Sequence, residues 1–376
     1  IGMVFSKTGL TKRMAYKMLL LVGEKTSRIY LGCFAMTAML TLLMAHTAVA
    51  ATIFPLLMVI YSLYDEEQKP SKFGKGLFIG MAFSAGAGSV VTLLGSARAA
   101  VALGFFKDMA GREISFFELT YYMLPVGWIM VILIWLMMMA FFKPEKSTIP
   151  GLKERAMSLC SKLGPMTRNE IVSLIIVLTA ILLLSIRSFI PILKPLDKSA
   201  IILGGTLLFF ILKILNIKDL EDIPWNIALL FGGAMSIGFC LWQTGAANWL
   251  AINWLLLFQN APWLVFVLGV AFFVLIMTNF IMNVAAIAIS LPVALVIAPY
   301  LGVAPEVILY SSLAAAGMPF VLLIGAAPNA IAYESKQFSS GEFFKAGIPT
   351  SVVLMIVLGL FVWLVWPLMG MPVKVM

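Results

Sequence analysis

His46 is the only histidine of the 376-residue chain and stands in LMAHTAVAATIFP, inside a run from Ile29 to Tyr64 that is otherwise apolar or hydroxylated. An imidazole there serves as a catalytic group, a proton relay, a substrate or ion ligand, or a buried ring with one hydrogen bond. Its ordinary pKa near 6.5 also suits proton coupling. Arg98, in LLGSARAAVA, is the second charge-bearing exception. A guanidinium at membrane depth costs several kcal/mol unless it is paired or hydrated. It either pairs with helix-end carbonyls or offers its fork to a carboxylate or sulfate. Thr278, Asn279 and Asn283 of TNFIMN and Asn329 of LIGAAPNAIA bring hydroxyl and amide groups into apolar sequence. Such groups either glue helices together or ligate something. No nucleophile–acid arrangement accompanies His46, CxxC, HExxH, Walker and GxSxG sequences are absent, and Cys33, Cys160 and Cys240 follow no motif spacing. The chain therefore reads as no enzyme.

The elements that position these residues are membrane helices. Hydrophobic residues make up 62% of the chain, charged residues 11%, and mean hydropathy is +1.05. A soluble domain cannot hide that much apolar surface. Leu124–Phe142, Ile223–Asn260, Ala261–Val303 and Ile348–Val373 each run long enough without charge to cross a bilayer. The absence of alternating ten-residue segments excludes an outer-membrane barrel. The +9 net charge lies in short loops beside apolar runs, which points to membrane topology and to no nucleic-acid partner. All 17 Asp and Glu fall in loops or helix ends, which argues against a carboxylate proton relay.

The chain repeats itself. His46–Pro55 aligns with Asn283–Pro292, LLGSARAAVA (93–102) with LIGAAPNAIA (323–332), ISFFELTYYMLP (114–125) with FSSGEFFKAGIP (338–349), and Gly9 with Gly245. Each copy is expected to hold a helical hairpin (about 28–62 and 262–301), a broken helix (about 76–104 and 306–333) and a closing helix (about 348–370 in the second). The breaks are expected at Ala45-His46-Thr47, Thr278–Asn283, Gly95–Arg98 and Gly325–Asn329. Unwound backbone at membrane depth is tolerated only inside protein or at a polar cavity. The first repeat spans 1–145 and the second 146–376, with scaffold helices at about 171–243. These have no partner in the first copy, and the chain opens on Ile1, so the reading expects an N-terminally incomplete first repeat. With re-entrant hairpins, one face holds 19 of the 26 Lys and Arg and the other six, with Arg98 in a break. That positive-inside bias gives inverted repeats in a multi-pass protein of the cell inner membrane.

DIPWNIALLFGGAMSIGFCLWQTGAANWLA (222–251), MTNFIMNVAAIAISLPVALVIAP (277–299) and LIGAAPNAIAYES (323–335) resemble the divalent anion:sodium symporters, in order and spacing over nearly the whole chain. The resemblance implies an all-α polytopic membrane protein and cation-coupled transport of di- or tricarboxylates such as succinate, malate or citrate, or of sulfate. It also implies a homodimer in membrane lipid, working by an elevator motion. No cofactor is implied beyond Na+ as coupling ion, held at the hairpin–break pairs. Substrate would contact His46, Thr47, Arg98, Asn283 and Asn329; sodium would contact Thr278, Asn279, Asn283, Gly325, Ala326 and Asn329. The family's Ser-Asn-Thr tip is Ala45-His46-Thr47 here, and its Gly-Thr-Pro-Pro-Asn-like break is Gly95-Ser96-Ala97-Arg98-Ala99. Ala45, His46, Gly95 and Ser96 thus mark a degenerate first ion site, where Arg98 with His46 partly replaces the ion's charge. Anion exchange without sodium, proton coupling, and a non-transporting sensor are the alternative readings.

Overall fold

The computed structural model describes residues 2–65, 70–187, 190, 193, 198–221, 240, 243–245, 249 and 262–374. Most of the 222–251 motif and part of the expected scaffold helices lie outside the described residues. Helix is the regular structure of the described residues, apart from two isolated antiparallel bridges, Lys25–Thr148 and Val303–Lys374. Among the described residues, six helices are long and apolar enough to cross a membrane.

In chain order the helices are α1 Gly2–Thr8, α2 Leu10–Val22, α3 Thr26–Thr41, α4 His46–Tyr64, α5 Lys72–Ser89, α6 Ala97–Ala110 and α7 Phe116–Phe141. There follow α8 Leu152–Leu163, α9 Arg168–Ile186, α10 Lys198–Ile211, α11 Ile217–Glu221, α12 Trp263–Phe280 and α13 Asn283–Ile297. The last are α14 Pro305–Gly317, α15 Ala327–Tyr333 and α16 Ser340–Leu360, which runs through a π-helical turn at Phe361–Val365 into α17 Trp366–Leu368.

The two copies match element by element. Hairpin α3–α4 corresponds to α12–α13, broken helix α5–α6 to α14–α15, and closing helix α7 to α16. Ser115 caps α7 by accepting the Glu118 N–H, and Ser339 caps α16 by accepting the Glu342 N–H. Each closing helix carries a proline ten residues beyond that cap, Pro125 and Pro349. Gly9 and Gly245 both adopt left-handed φ, +85° and +75°. Packing is reciprocal as well: α3 lies on α5 and α12 on α14, whereas α13 lies on α6 and α15 on α4 and α5. Each hairpin therefore packs on its own broken helix and against the far half of the other. At the centre α5 and α14 cross so closely that a Cβ at Gly86 would lie 2.9 Å from the Gly317 carbonyl oxygen.

Some expected boundaries shift. The first hairpin breaks at 42–45, and His46 is the first residue of α4 rather than part of the break. The second breaks at 281–282, so Thr278 and Asn279 are still helical. Arg98 lies in the first turn of α6, past the unwound segment 90–96, which itself contains a 3-10 turn at Leu93–Gly95. Pro328 and Asn329 are likewise in the first turn of α15. The closing helix α16 starts at Ser340, well before 348, because a Ser339–Glu342 capping box initiates it in polar sequence and Pro349 falls inside it.

The amphipathic N-terminal segment is two helices, broken at Gly9. Its Arg13 is buried: Nε and Nη2 donate to Glu170 at 3.0 and 3.1 Å, and the fork also reaches the Gly164, Leu163 and Pro165 carbonyls. That network ties α2 to the capped start of α9. A second tie lies outside the spans. Glu145 accepts the Lys72 N–H at 2.5 Å, the Phe73 N–H at 3.2 Å and the Tyr64 hydroxyl at 2.8 Å, joining the end of α4 to the start of α5. Partial burial alone would raise its carboxyl, but these three donors outweigh that and hold it below the ordinary range. A depressed carboxyl adds stability above its unfolded pKa and loses it as pH falls through the folded value. Melting in detergent should therefore drop as pH falls below about 4, and Glu145→Gln should flatten that acid limb while lowering the neutral-pH midpoint.

Candidate functional site

Four helices begin at one place. α4 starts at His46 behind Ala45, α13 at Asn283 behind Met282, α6 at Ala97 behind Ser96, and α15 at Ala327 behind Ala326, and none has a side-chain cap. Where α5, α7, α9 and α16 begin, by contrast, Ser71, Ser115, Thr167 and Ser339 supply caps. Free N–H groups and the positive ends of helix dipoles favour an anion. The four uncapped starts surround one cavity of about 390 Å³. Ala45, His46, Thr47, Ser96, Arg98, Asn283, Gly325 and Ala326 all line it, and among the described residues no Asp or Glu does. Its polar groups are thus hydroxyl, amide, imidazole and guanidinium.

Behind the cavity, the second repeat gathers neutral oxygens. The Thr278 hydroxyl lies 3.0 Å from both Asn283 Oδ1 and the Ala316 carbonyl oxygen. One hydroxyl hydrogen cannot satisfy two acceptors, so the trio keeps lone pairs to spare. Asn279 spends its side chain on the break: Oδ1 accepts the Val321 and Leu322 N–H groups, and Nδ2 donates to Leu275 O. Asn329 donates from Nδ2 to the Pro319 and Leu322 carbonyls and does not line the cavity. Both amides therefore brace unwound backbone. Asn283 alone joins the oxygen trio to the cavity wall.

The first repeat is built differently. Thr41, the counterpart of Thr278, turns its hydroxyl onto its own helix at Ala38 O, 2.6 Å away. Thr92 donates to Leu42 O at 2.9 Å and so ties break to hairpin. His46 Nδ1 meets Gly95 O at 3.4 Å, a long bond in which the ring must donate, leaving Nε2 as an acceptor. Arg98, 1% exposed, bends back toward the end of α5: Nη2 donates to Ser89 Oγ at 2.7 Å, and Ser89 donates on to Gly86 O at 2.7 Å. Arg98 Nη1 and Ser96 Oγ are buried without partners.

The structure thus brings His46, Thr47, Arg98 and Asn283 to one cavity and places Thr278, Asn279, Asn329 and Gly95 just behind it. Ser89, Thr92 and the Ala316 carbonyl escaped sequence reasoning. A main-chain carbonyl leaves no residue signal, but Ser89, ending a Gly-rich helix, and Thr92, three residues on in the break, were findable as polar residues in apolar sequence. Among the described residues no three His, Cys, Asp or Glu side chains cluster, so neutral oxygens are the donors on offer to a cation. Such oxygens suit a hard cation, not a transition metal.

Comparison with known proteins fits these features. Residues 1–372 match the model of the sodium:sulfate symporter transmembrane region. The sodium-dependent dicarboxylate transporter SdcS of Staphylococcus saprophyticus is 27% identical over 397 residues, an alignment covering 99% of this chain and 76% of that protein. SdcS of Staphylococcus aureus strain NCTC 8325 is 25% identical over 391 residues, covering 98% and 75%. The chain belongs to the divalent anion:sodium symporter family, a family of transporters and not of enzymes, and is a multi-pass membrane protein of the plasma membrane.

Proposed function

We propose that the chain is a sodium-coupled symporter of small dianions, di- or tricarboxylates first and sulfate second. The carrying observation is the cavity on which both hairpin tips and both helix breaks converge, lined by Arg98 and four uncapped helix starts and, among the described residues, by no carboxylate. Such a wall attracts a dianion and repels a cation. The oxygen trio of Thr278, Asn283 and Ala316 lies directly behind it, close enough for a bound Na+ to neutralise part of the anion's charge. The dicarboxylate specificity of SdcS and the sulfate in the family's name supply the substrate classes.

In this reading the two copies are inverted repeats with re-entrant hairpins, and the cavity sits near the bilayer midplane. Hairpins and broken helices move as one body past a scaffold that forms a homodimer. Their reciprocal packing supports that, since each hairpin is tied to both broken helices. The test is uptake into proteoliposomes of labelled succinate, malate, citrate and sulfate, under an inward Na+ gradient and with K+ substituted. Succinate or malate should accumulate only with Na+. Entry of none of the four would overturn the substrate reading, and countertransport unchanged by Na+ removal would replace symport with exchange.

A further inference from the structure

The two halves can be superposed residue by residue through their sequence repeat, and at the ion-coordinating level they disagree. Gly95 corresponds to Gly325, Ser89 to Pro319 and Gly86 to Ala316, while His46 corresponds to Asn283 and Thr41 to Thr278. The three-dimensional contacts obey that correspondence. A Cβ at Gly95 would meet Ser89 and Thr41 backbone, and one at Gly325 would meet Pro319 and Thr278. In the second half the Ala316 carbonyl lies 3.0 Å from the Thr278 hydroxyl, which lies equally close to the Asn283 amide oxygen. In the first half the matching Gly86 carbonyl is closed off by Ser89, which in turn accepts from the Arg98 guanidinium. The residue positions that gather cation-binding oxygens in one half are served by a cation in the other.

We infer that Arg98 is a resident cation that takes the place of a coupling ion in the first half, so that one Na+, held by the second half, accompanies each transport cycle. Three features carry this. The guanidinium lies where α5 and α14 both end: it touches Ser89, and a Cβ at Gly317 would lie 2.6 Å from its Nη2. Helix C-termini carry partial negative charge and hold a cation there without a carboxylate. Among the described residues no acidic side chain pairs with Arg98; the buried carboxylate of Glu170 is taken by Arg13. Finally, Nη1 is buried and unpartnered, and Arg98 is part of the cavity wall. An unneutralised buried cation is costly, and an anion arriving in the cavity completes its compensation. Gly317 leaves the room the guanidinium needs.

The inference rests on the sodium-coupled reading above, and equilibrium binding separates the two. Purified protein in detergent is titrated with radioactive sodium chloride, without any anion to be transported. Wild type should bind about one ion per chain with a Hill slope near one. Arg98→Gln, which replaces the charge with an amide oxygen of similar length, should raise both toward two, and Arg98→Lys should leave them at one. Two ions on wild type, none on wild type, or an unchanged count in Arg98→Gln each overturns the inference. Should Arg98→Gln not fold, the wild-type count decides by itself. A chain that binds one ion but moves none of the four anions loses the substrate assignment and keeps this one.

Discussion

Gly95→Ala should abolish anion uptake while leaving a folded protein. The added methyl would lie 2.6 Å from the Ser89 carbonyl oxygen, 2.8 Å from the Thr41 carbonyl oxygen and 2.9 Å from Ser89 Cα. All three are backbone atoms, from the broken helix and from the hairpin, so no flexible side chain can swing aside. The hairpin must back away from the break, and it carries His46, whose ring meets the Gly95 carbonyl. Overpacking of this kind costs about 1–3 kcal/mol of stability, which a membrane domain of this size survives. A shift of about 1 Å in a preorganised site costs on the order of a hundredfold in rate. Gly325→Ala is the internal control: its Cβ would meet Pro319 Cβ at 2.7 Å, but Thr278 O and Asn279 Cα only at 3.1 and 3.3 Å. Initial rates of sodium-driven succinate uptake should rank wild type, then Gly325→Ala, then Gly95→Ala. Equal losses, or no loss in Gly95→Ala, would contradict the tight seating of the first tip.

Much of this arrangement was legible before any coordinates. Apolar runs and their interruptions locate the helices because the bilayer forbids unsatisfied backbone outside protein. The nine-residue offset from His46 and from Asn283 to a proline identified two equivalent positions, and both proved to be first residues of helices at the cavity. What stayed hidden was direction. Asn279 and Asn329 have the composition of ligands, and Asn279 Oδ1 and Asn329 Nδ2 are engaged by backbone of the second break, which only the tertiary path of 318–326 decides. Arg98 was visible as an anomaly, but its turn away from the hairpin tips toward Ser89 depends on the α5–α14 crossing, a contact between residues far apart in sequence. The Arg13–Glu170 pair was out of reach for the same reason, since its two members lie 157 residues apart.

Asn283→Asp should pull the two ligands of the transporter in opposite directions. Asn283 is the one residue that both lines the cavity and completes the oxygen trio, with Oδ1 at 3.0 Å from the Thr278 hydroxyl. Aspartate is nearly isosteric, so the change is one of charge. A carboxylate about 4 Å from a bound anion charge, at an effective dielectric near 20, costs about 4 kcal/mol, or on the order of a thousandfold in affinity. The same charge beside Thr278 and the Ala316 carbonyl strengthens a cation site built until then from neutral oxygens. Sodium binding measured without anion should tighten by at least about tenfold, while sodium-driven succinate uptake falls below detection. If Asn283 only glued helices together, the substitution would weaken both ligands through loss of structure. Tighter sodium with lost anion is the outcome that a shared wall between cation and anion demands, and parallel loss of the two would sink it.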